Sequence, residues 1–263
     1  MNILDKIIAR KKEEVIDAKS QVSVLQLEQA EFFERKPISV KQRLLLLNHV
    51  GIIAEHKRKS PSKGIINDQL SVEFITQGYT NAGAACLSIL TDTDFFGGSK
   101  EDLIKARKAN PDTPILRKDF IIDEYQILEA KAWGADVILL IAANLETSQL
   151  KALAKFAKSL HLDVLMEVHD KAELLANLDE NIDLIGVNNR NLKTFEVSID
   201  TSLQLANYIP NEYVKIAESG INTAQEIVIL QQAGFKGFLI GESFMKTTNP
   251  GEALGRLIKE IFQ

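Results

Sequence analysis

From Val50 onward, short apolar runs alternate with longer segments of helical period. The runs fall near residues 50–56, 84–90, 113–118, 136–142, 162–167, 183–188, 213–218 and 237–241. They recur about every 27 residues, close to the ~30 of a βα pair. Runs such as VILLIAA, starting at Val137, are apolar at every position rather than at every second one. A strand covered by helices on both faces has that composition, whereas a half-exposed strand alternates. Gly83, Gly134 and Gly234 each stand just before a run, where glycine ends the preceding helix. Eight units without a Pro- or Ser-rich linker predict an α/β fold, a closed (β/α)₈ TIM barrel. The alternative is an open doubly wound sheet, which usually has fewer strands and opens on a glycine-rich turn; the sequence contains no GxGxxG.

Ahead of this repeat the rhythm differs. Ile3, Leu4, Ile7, Ile8 and Val15 fall near helical spacing over residues 3–19. The mixture of Lys11, Lys12, Glu13 and Glu14 favours a solvated face on a domain over a membrane-surface helix. After a polar stretch, Ser39 is placed to cap a second short helix reaching about Leu47. The expectation is a helical extension over 1–48 and a barrel over 49–263, forming a single domain.

Composition narrows the class. A net charge of −5 over 263 residues gives no reason to expect nucleic acid or an acidic membrane as partner. Cys86 is the single cysteine, which excludes an internal disulfide and fits a reducing compartment. His49, His56, His161 and His169 show no metal-ligand spacing, so no metal is expected. Asp5, Lys6 and Arg10 break up the N-terminal apolar residues, so no signal-peptide h-region is present. The longest apolar run, from Leu44 to Ala54, is interrupted by Asn48 and His49 and is too short to span a bilayer. The expectation is a soluble cytoplasmic protein.

The chemistry collects at strand ends. The first run closes on Glu55 and Lys57, two apart and so on one face of an extended chain, and KSPSKG follows as a cationic loop. Alone, that pattern serves equally as an ion pair capping a strand. It recurs, however. PILRKDF carries Leu116, Lys118 and Phe120 on one face, DVLMEVH carries Glu167, GVNNRNL carries Asn188 and Arg190, and VKIAESG ends in Glu218. In a barrel such positions converge on the C-terminal mouth, where these folds place catalysis. Ser219-Gly220 after the seventh run and Gly241-Glu242-Ser243 after the eighth are turns whose backbone N–H groups suit a phosphate. Glu242 is then expected to present its amide, with its carboxylate turned away. In the loop TDFFGGS, Phe95 and Phe96 join Phe120 as candidates to line a flat apolar pocket for an aromatic ring. Met166, Cys86 and Trp133 read as packing residues, His56 as facing away from the barrel interior, and His169 receives no role.

Taken together, AEHKRKSPSKG, LRKDFI, MEVH, GVNNRNL, ESGI and GES resemble the indole-3-glycerol phosphate synthase family of tryptophan biosynthesis, over nearly the whole chain. His56 stands where an apolar residue is commonest in that family, and Gly97 where an amide side chain is common. The resemblance implies a lyase that closes a pyrrole ring on 1-(2-carboxyphenylamino)-1-deoxyribulose 5-phosphate, losing carbon dioxide and water, with no cofactor. It implies Glu55, Lys57, Lys118, Glu167, Asn188 and Glu218 as catalytic residues. Ser60 and Arg190 would bind the substrate's body, Phe96 and Phe120 would flank its anthranilate ring, and Ser219, Gly220, Gly241, Glu242 and Ser243 would hold its phosphate. A monomer or weak homodimer is expected. Two rivals are a sugar-phosphate isomerase, which needs only one acid/base pair, and a non-catalytic phosphate sensor, which needs none of the strand-end charges.

Overall fold

The computed structural model describes residues 3–46, 50–191 and 196–262. All eight apolar runs are strands: β1 Gly51–His56, β2 Cys86–Leu90, β3 Ile115–Lys118, β4 Val137–Ile141, β5 Asp163–Val168, β6 Leu184–Asn188, β7 Val214–Glu218 and β8 Gly237–Ile240. They pair in parallel in chain order, and β1 closes the barrel by pairing with both β2 (Ile53 with Cys86) and β8 (Gly51 with Gly237). The helices are α1 Ile3–Gln21, α2 Val24–Glu28, α3 Val40–Leu46, α4 Val72–Asn81, α5 Lys100–Ala109, α6 Glu124–Ala132, α7 Thr147–Ser159, α8 Lys171–Asn177, α9 Asp200–Leu205, α10 Ala224–Gln232, α11 Glu242–Met245 and α12 Pro250–Ile261. Gly83, Gly134 and Gly234 all adopt positive φ just before their strands, as a helix-ending residue must.

Two apolar layers follow from the period of two along each strand. Ile53, Leu116, Leu139, Leu165, Ile216 and Leu239 fill the barrel interior, while Ile52, Ala54, Leu87 and Ile89 lie in the layer between strands and helices. Val40 and Leu44 of α3 belong to the inner layer, so α3 closes the N-terminal end of the barrel. Gly51 and Gly237 make room for it: a Cβ on Gly51 would stand 2.5 Å from Leu44 Cδ2. Ser39 caps α3, accepting from the Gln42 amide at 3.1 Å, as its position predicts. The expected end at Leu47, and His49, lie outside the described residues. The polar stretch before it holds an unpredicted helix, α2, opened by a Ser23/Gln26 capping box.

The barrel base carries buried charge. Asp136, just before β4, accepts from Arg35 at 2.6 Å, from the Ile38 and Ile115 amides at 2.7 Å each, and from Arg107. Asp163 accepts from Ser39 Oγ at 2.9 Å and the Lys41 amide at 3.0 Å. These bonds fasten the extension to the base.

At the mouth, α1 is held differently. Lys11 is buried, not solvated as expected, because three carboxylates meet it: Glu14 at 2.6 Å, Asp92 at 2.9 Å and Asp119 at 3.0 Å. Arg10 pairs with Asp94 at 2.7 Å, and the Tyr125 hydroxyl donates to the Val22 carbonyl at 2.7 Å. The extension thus embraces the barrel at both ends. Among the described residues no helix is long and apolar enough to cross a membrane.

Candidate active site

Glu55 shares the inward phase of Ile53, and Lys57 Nζ lies 2.7 Å from its Oε1. Gly241 makes space for that carboxylate, since a Cβ there would stand 2.8 Å from Glu55 Oε1. Across the cavity, β3 ends on Lys118, whose Nζ is 3.1 Å from Glu167 Oε2 and 3.6 Å from Glu218 Oε2. Gly186 in β6 leaves room for Glu218 in the same way; a Cβ would fall 2.1 Å from its Oε1. Asn188 Nδ2 donates to Glu167 Oε1 at 2.9 Å, and its Oδ1 accepts from the Arg190 amide at 3.0 Å. Glu218 Oε1 has no hydrogen-bond partner among the described residues.

Every residue that the resemblance implies for the site lines one cavity of about 560 Å³ at this mouth, whereas Phe95 is outside that lining. Ser219 and Gly220 both have positive φ, 66° and 70°. For Ser219 that conformation costs about 1–3 kcal/mol, the kind of strain kept at ligand-binding turns. The turn aims into the cavity beside Gly241, Glu242 and Ser243. The Glu242 carboxylate is engaged by Lys246 and also feels Lys63 and Lys57. Phe96 and Phe120 touch each other, with ring centroids 5.9 Å apart. They form one aromatic wall and are too close to admit a third ring between them. Ser60 lies on a short antiparallel hairpin, Lys59–Ser60 with Gly64–Ile65. That hairpin is tied to the loop after β2 by Arg58 on the Gly97 carbonyl and Lys59 Nζ on the Asp94 carbonyl, and to α5 by Arg58 on Asp102.

The charges set one another's protonation. Burial opposes the Lys118 ammonium, but Glu167, Glu218 and Glu55 outweigh it and hold the pKa above the ordinary lysine value. Burial likewise opposes Glu167, yet Lys118, His169 and the Asn188 hydrogen bond bring it down to about 2. Glu218 goes the other way. Burial, with Glu167 and Glu55 nearby, pushes it up to about 8 despite Lys118. The mouth therefore holds a cation, an anion and a neutral carboxylic acid within bonding range at neutral pH.

Sequence reasoning missed part of this lining. Ile3, Leu4 and Ile7 of α1 face the cavity. Their helical spacing was visible, but where that helix docks was not. His169 touches Glu167 and Glu173. It lies two residues past Glu167, so the same-face spacing that links Glu55 and Lys57 pointed to it. His56 is buried off the active face, with its pKa lowered to about 4 by burial and by Arg58. Cys86 and Met166 are core residues, and Trp133 packs under the Arg117 guanidinium at 4.2 Å.

The family model described as indole-3-glycerol phosphate synthase matches residues 4–257. The chain belongs to that family. An indole-3-glycerol phosphate synthase from Bacteroides thetaiotaomicron is 48% identical over 261 residues, covering 99% of each chain. One from Polaromonas naphthalenivorans is 44% identical over 262 residues, covering 98% of this chain and 99% of its own. Among solved structures, 3-hexulose-6-phosphate synthase from Salmonella typhimurium matches with a TM-score of 0.64 over 81% of this chain and 99% of its own. At 12% identity that likeness is one of fold alone. Membership of the indole-3-glycerol phosphate synthase family takes in the extension as well as the barrel, since the match begins inside α1 and ends inside α12.

Proposed function

We propose that this chain converts 1-(2-carboxyphenylamino)-1-deoxy-D-ribulose 5-phosphate to indole-3-glycerol phosphate, carbon dioxide and water in tryptophan biosynthesis. The observation that carries this reading is the Lys118 ammonium between Glu167 and Glu218, facing the Lys57–Glu55 pair in a cavity flanked by two phosphate-type turns. As the ring carbon attacks the ketone, the oxygen takes a proton from Lys118, acting as general acid. Loss of carbon dioxide restores the aromatic ring. In the dehydration Glu167 takes a proton as general base, and Lys57, paired with Glu55, gives one to the departing hydroxyl. Asn188 holds the Glu167 carboxylate in place, and Glu218 anchors Lys118. Arg190 and Ser60 hold the polar chain and carboxylate, and the Phe96–Phe120 wall carries the anthranilate ring on one face. Ser219, Gly220, Gly241, Glu242 and Ser243 bind the phosphate, largely through backbone N–H groups.

The reaction as written needs no cofactor or metal. We also place the protein in the cytoplasm, as a monomer or weak homodimer, with residues 1–48 and 49–263 folding as one domain. The deciding experiment follows the absorbance and fluorescence of the indole product from purified protein and this substrate. Product is expected without any added cofactor. A folded protein that binds the substrate yet forms no indole would contradict the assignment.

A further inference from the structure

His169 stands behind Glu167, outside the cavity lining and mostly buried. Its Nε2 lies 3.4 Å from Glu167 Oε1 and its Nδ1 3.2 Å from Glu173 Oε2. The His169 backbone N–H donates to the same Glu173 oxygen at 2.7 Å. Glu173 is fixed in turn, because its amide donates to Asp170 Oδ1, the cap of α8, at 2.9 Å. An ionised carboxylate only accepts, so Nδ1 facing Glu173 carries a hydrogen. A neutral ring would then aim the Nε2 lone pair at Glu167, acceptor against acceptor. The imidazolium alone makes both approaches attractive: a hydrogen bond from Nδ1 to Glu173 and, at Nε2, a charge contact with Glu167 that lacks hydrogen-bond geometry.

The geometry points to His169 as a positioning residue: clamped by Glu173 as an imidazolium, it keeps the Glu167 carboxylate anionic and aimed at the reacting atoms. This rests on the reading of Glu167 as the general base. The charged groups around the ring are Glu167 on its own strand, Glu173 on α8 and Glu218 on β7, with Lys118 beyond Glu167. The short turn Ala142–Asn144, packed on β5 and α8, brings no titratable side chain. Burial works against the imidazolium, but the Glu173 hydrogen bond and the surrounding carboxylates outweigh it and raise the pKa above 6.5. The imidazolium therefore persists to higher pH than in an ordinary histidine, and as it is lost with rising pH the hold on Glu167 goes with it.

The chain has four histidines, so the imidazole C–H signals can be followed one by one in an NMR titration, with His169→Gln assigning its peak. His169 is expected to titrate above 6.5. Glu167→Gln and Glu173→Gln should each lower that midpoint by roughly one unit, the usual effect of losing an adjacent opposite charge. His169→Gln keeps a donor without the charge. It should lower kcat roughly tenfold, a fraction of what a general base supplies, with KM unchanged. The fall in kcat/KM that follows the His169 NMR midpoint should also disappear, leaving only the losses at higher pH that belong to other groups such as Lys118. A midpoint at or below 6.5, indifference to Glu167→Gln, or a kcat/KM profile in His169→Gln that still falls at the wild-type His169 midpoint would each overturn the inference. If wild type forms no indole, the assignment of function fails, while the NMR arms still decide the coupling between His169 and Glu167.

Discussion

At the base of the barrel, the Asp136 carboxylate receives Arg35, Arg107 and two backbone N–H groups, and Arg107 donates further to the carbonyls of Gly134, Asn110, Pro111 and Thr113. At the mouth, Glu218 is as deeply buried, yet its nearest cation is 3.6 Å away and its Oε1 has no hydrogen-bond partner among the described residues. Both ends bury charge, which is costly unless it is paired. The base answers with near-complete hydrogen bonding and becomes a fixed joint. The mouth keeps several ionisable groups close together with bonding capacity left over, and their protonation states are pushed apart. Saturation suits a structural network, and incomplete satisfaction suits a site that must engage a ligand and move protons.

Substitutions at the two ends should separate these roles. Lys118→Met removes the proposed general acid and should cut turnover by about 10²–10⁴-fold while substrate still binds. Its cost in stability should be the smaller of the two, because Glu218 can remain protonated and Glu167 keeps Asn188 and His169 beside it. Asp136→Ala should do the reverse. It strands Arg107 and Arg35 without their carboxylate, and breaking a buried pair costs about 3–5 kcal/mol. Turnover per folded molecule should stay within about twofold of wild type, since the base of such a barrel is remote from its mouth. Urea unfolding alongside steady-state kinetics measures both. Equal loss of stability in the two variants would erase the distinction between the ends.

The mouth was the more legible end in the sequence. Lys118, Glu167 and Glu218 stand at or near the C-terminal ends of largely apolar runs, and a charge inside a core strand needs a reason. The strands themselves stood out because covered strands are apolar throughout. Asp136, Asp163 and Asp183 gave no such contrast. Each stands at or just before the start of an apolar run, where a polar residue looks like loop. Their partners Arg35, Ser39 and Lys158 are remote in sequence or inside helices. The five residues of α2 are too few to establish a period. Lys11 read as one charge among several on a solvated helix, because only the folded chain brings Asp92 and Asp119 to it.

The pH dependence of stability tests the comparison at its root. Glu218 has a folded pKa raised to about 8, so below its ordinary value of 4.5 it is protonated whether the chain is folded or not. Between about 4.5 and about 8 the folded state holds a proton that the unfolded state has released, so this group's contribution to stability falls as pH rises. One such group gives a slope of at most about 1.4 kcal/mol per pH unit. Glu167, lowered to about 2, has the opposite sign: its contribution is present above 4.5 and is lost as pH falls towards 2. Glu218→Gln replaces a neutral acid by a neutral amide and removes only the first of these. The variant should therefore gain on wild type steadily as pH rises through that interval and show no changing difference below it. Denaturant unfolding of both proteins at several pH values reads this directly. A difference that stays constant with pH would mean that Glu218 is ionised at neutrality, and the mouth would then be a network of paired charges of the same kind as the base.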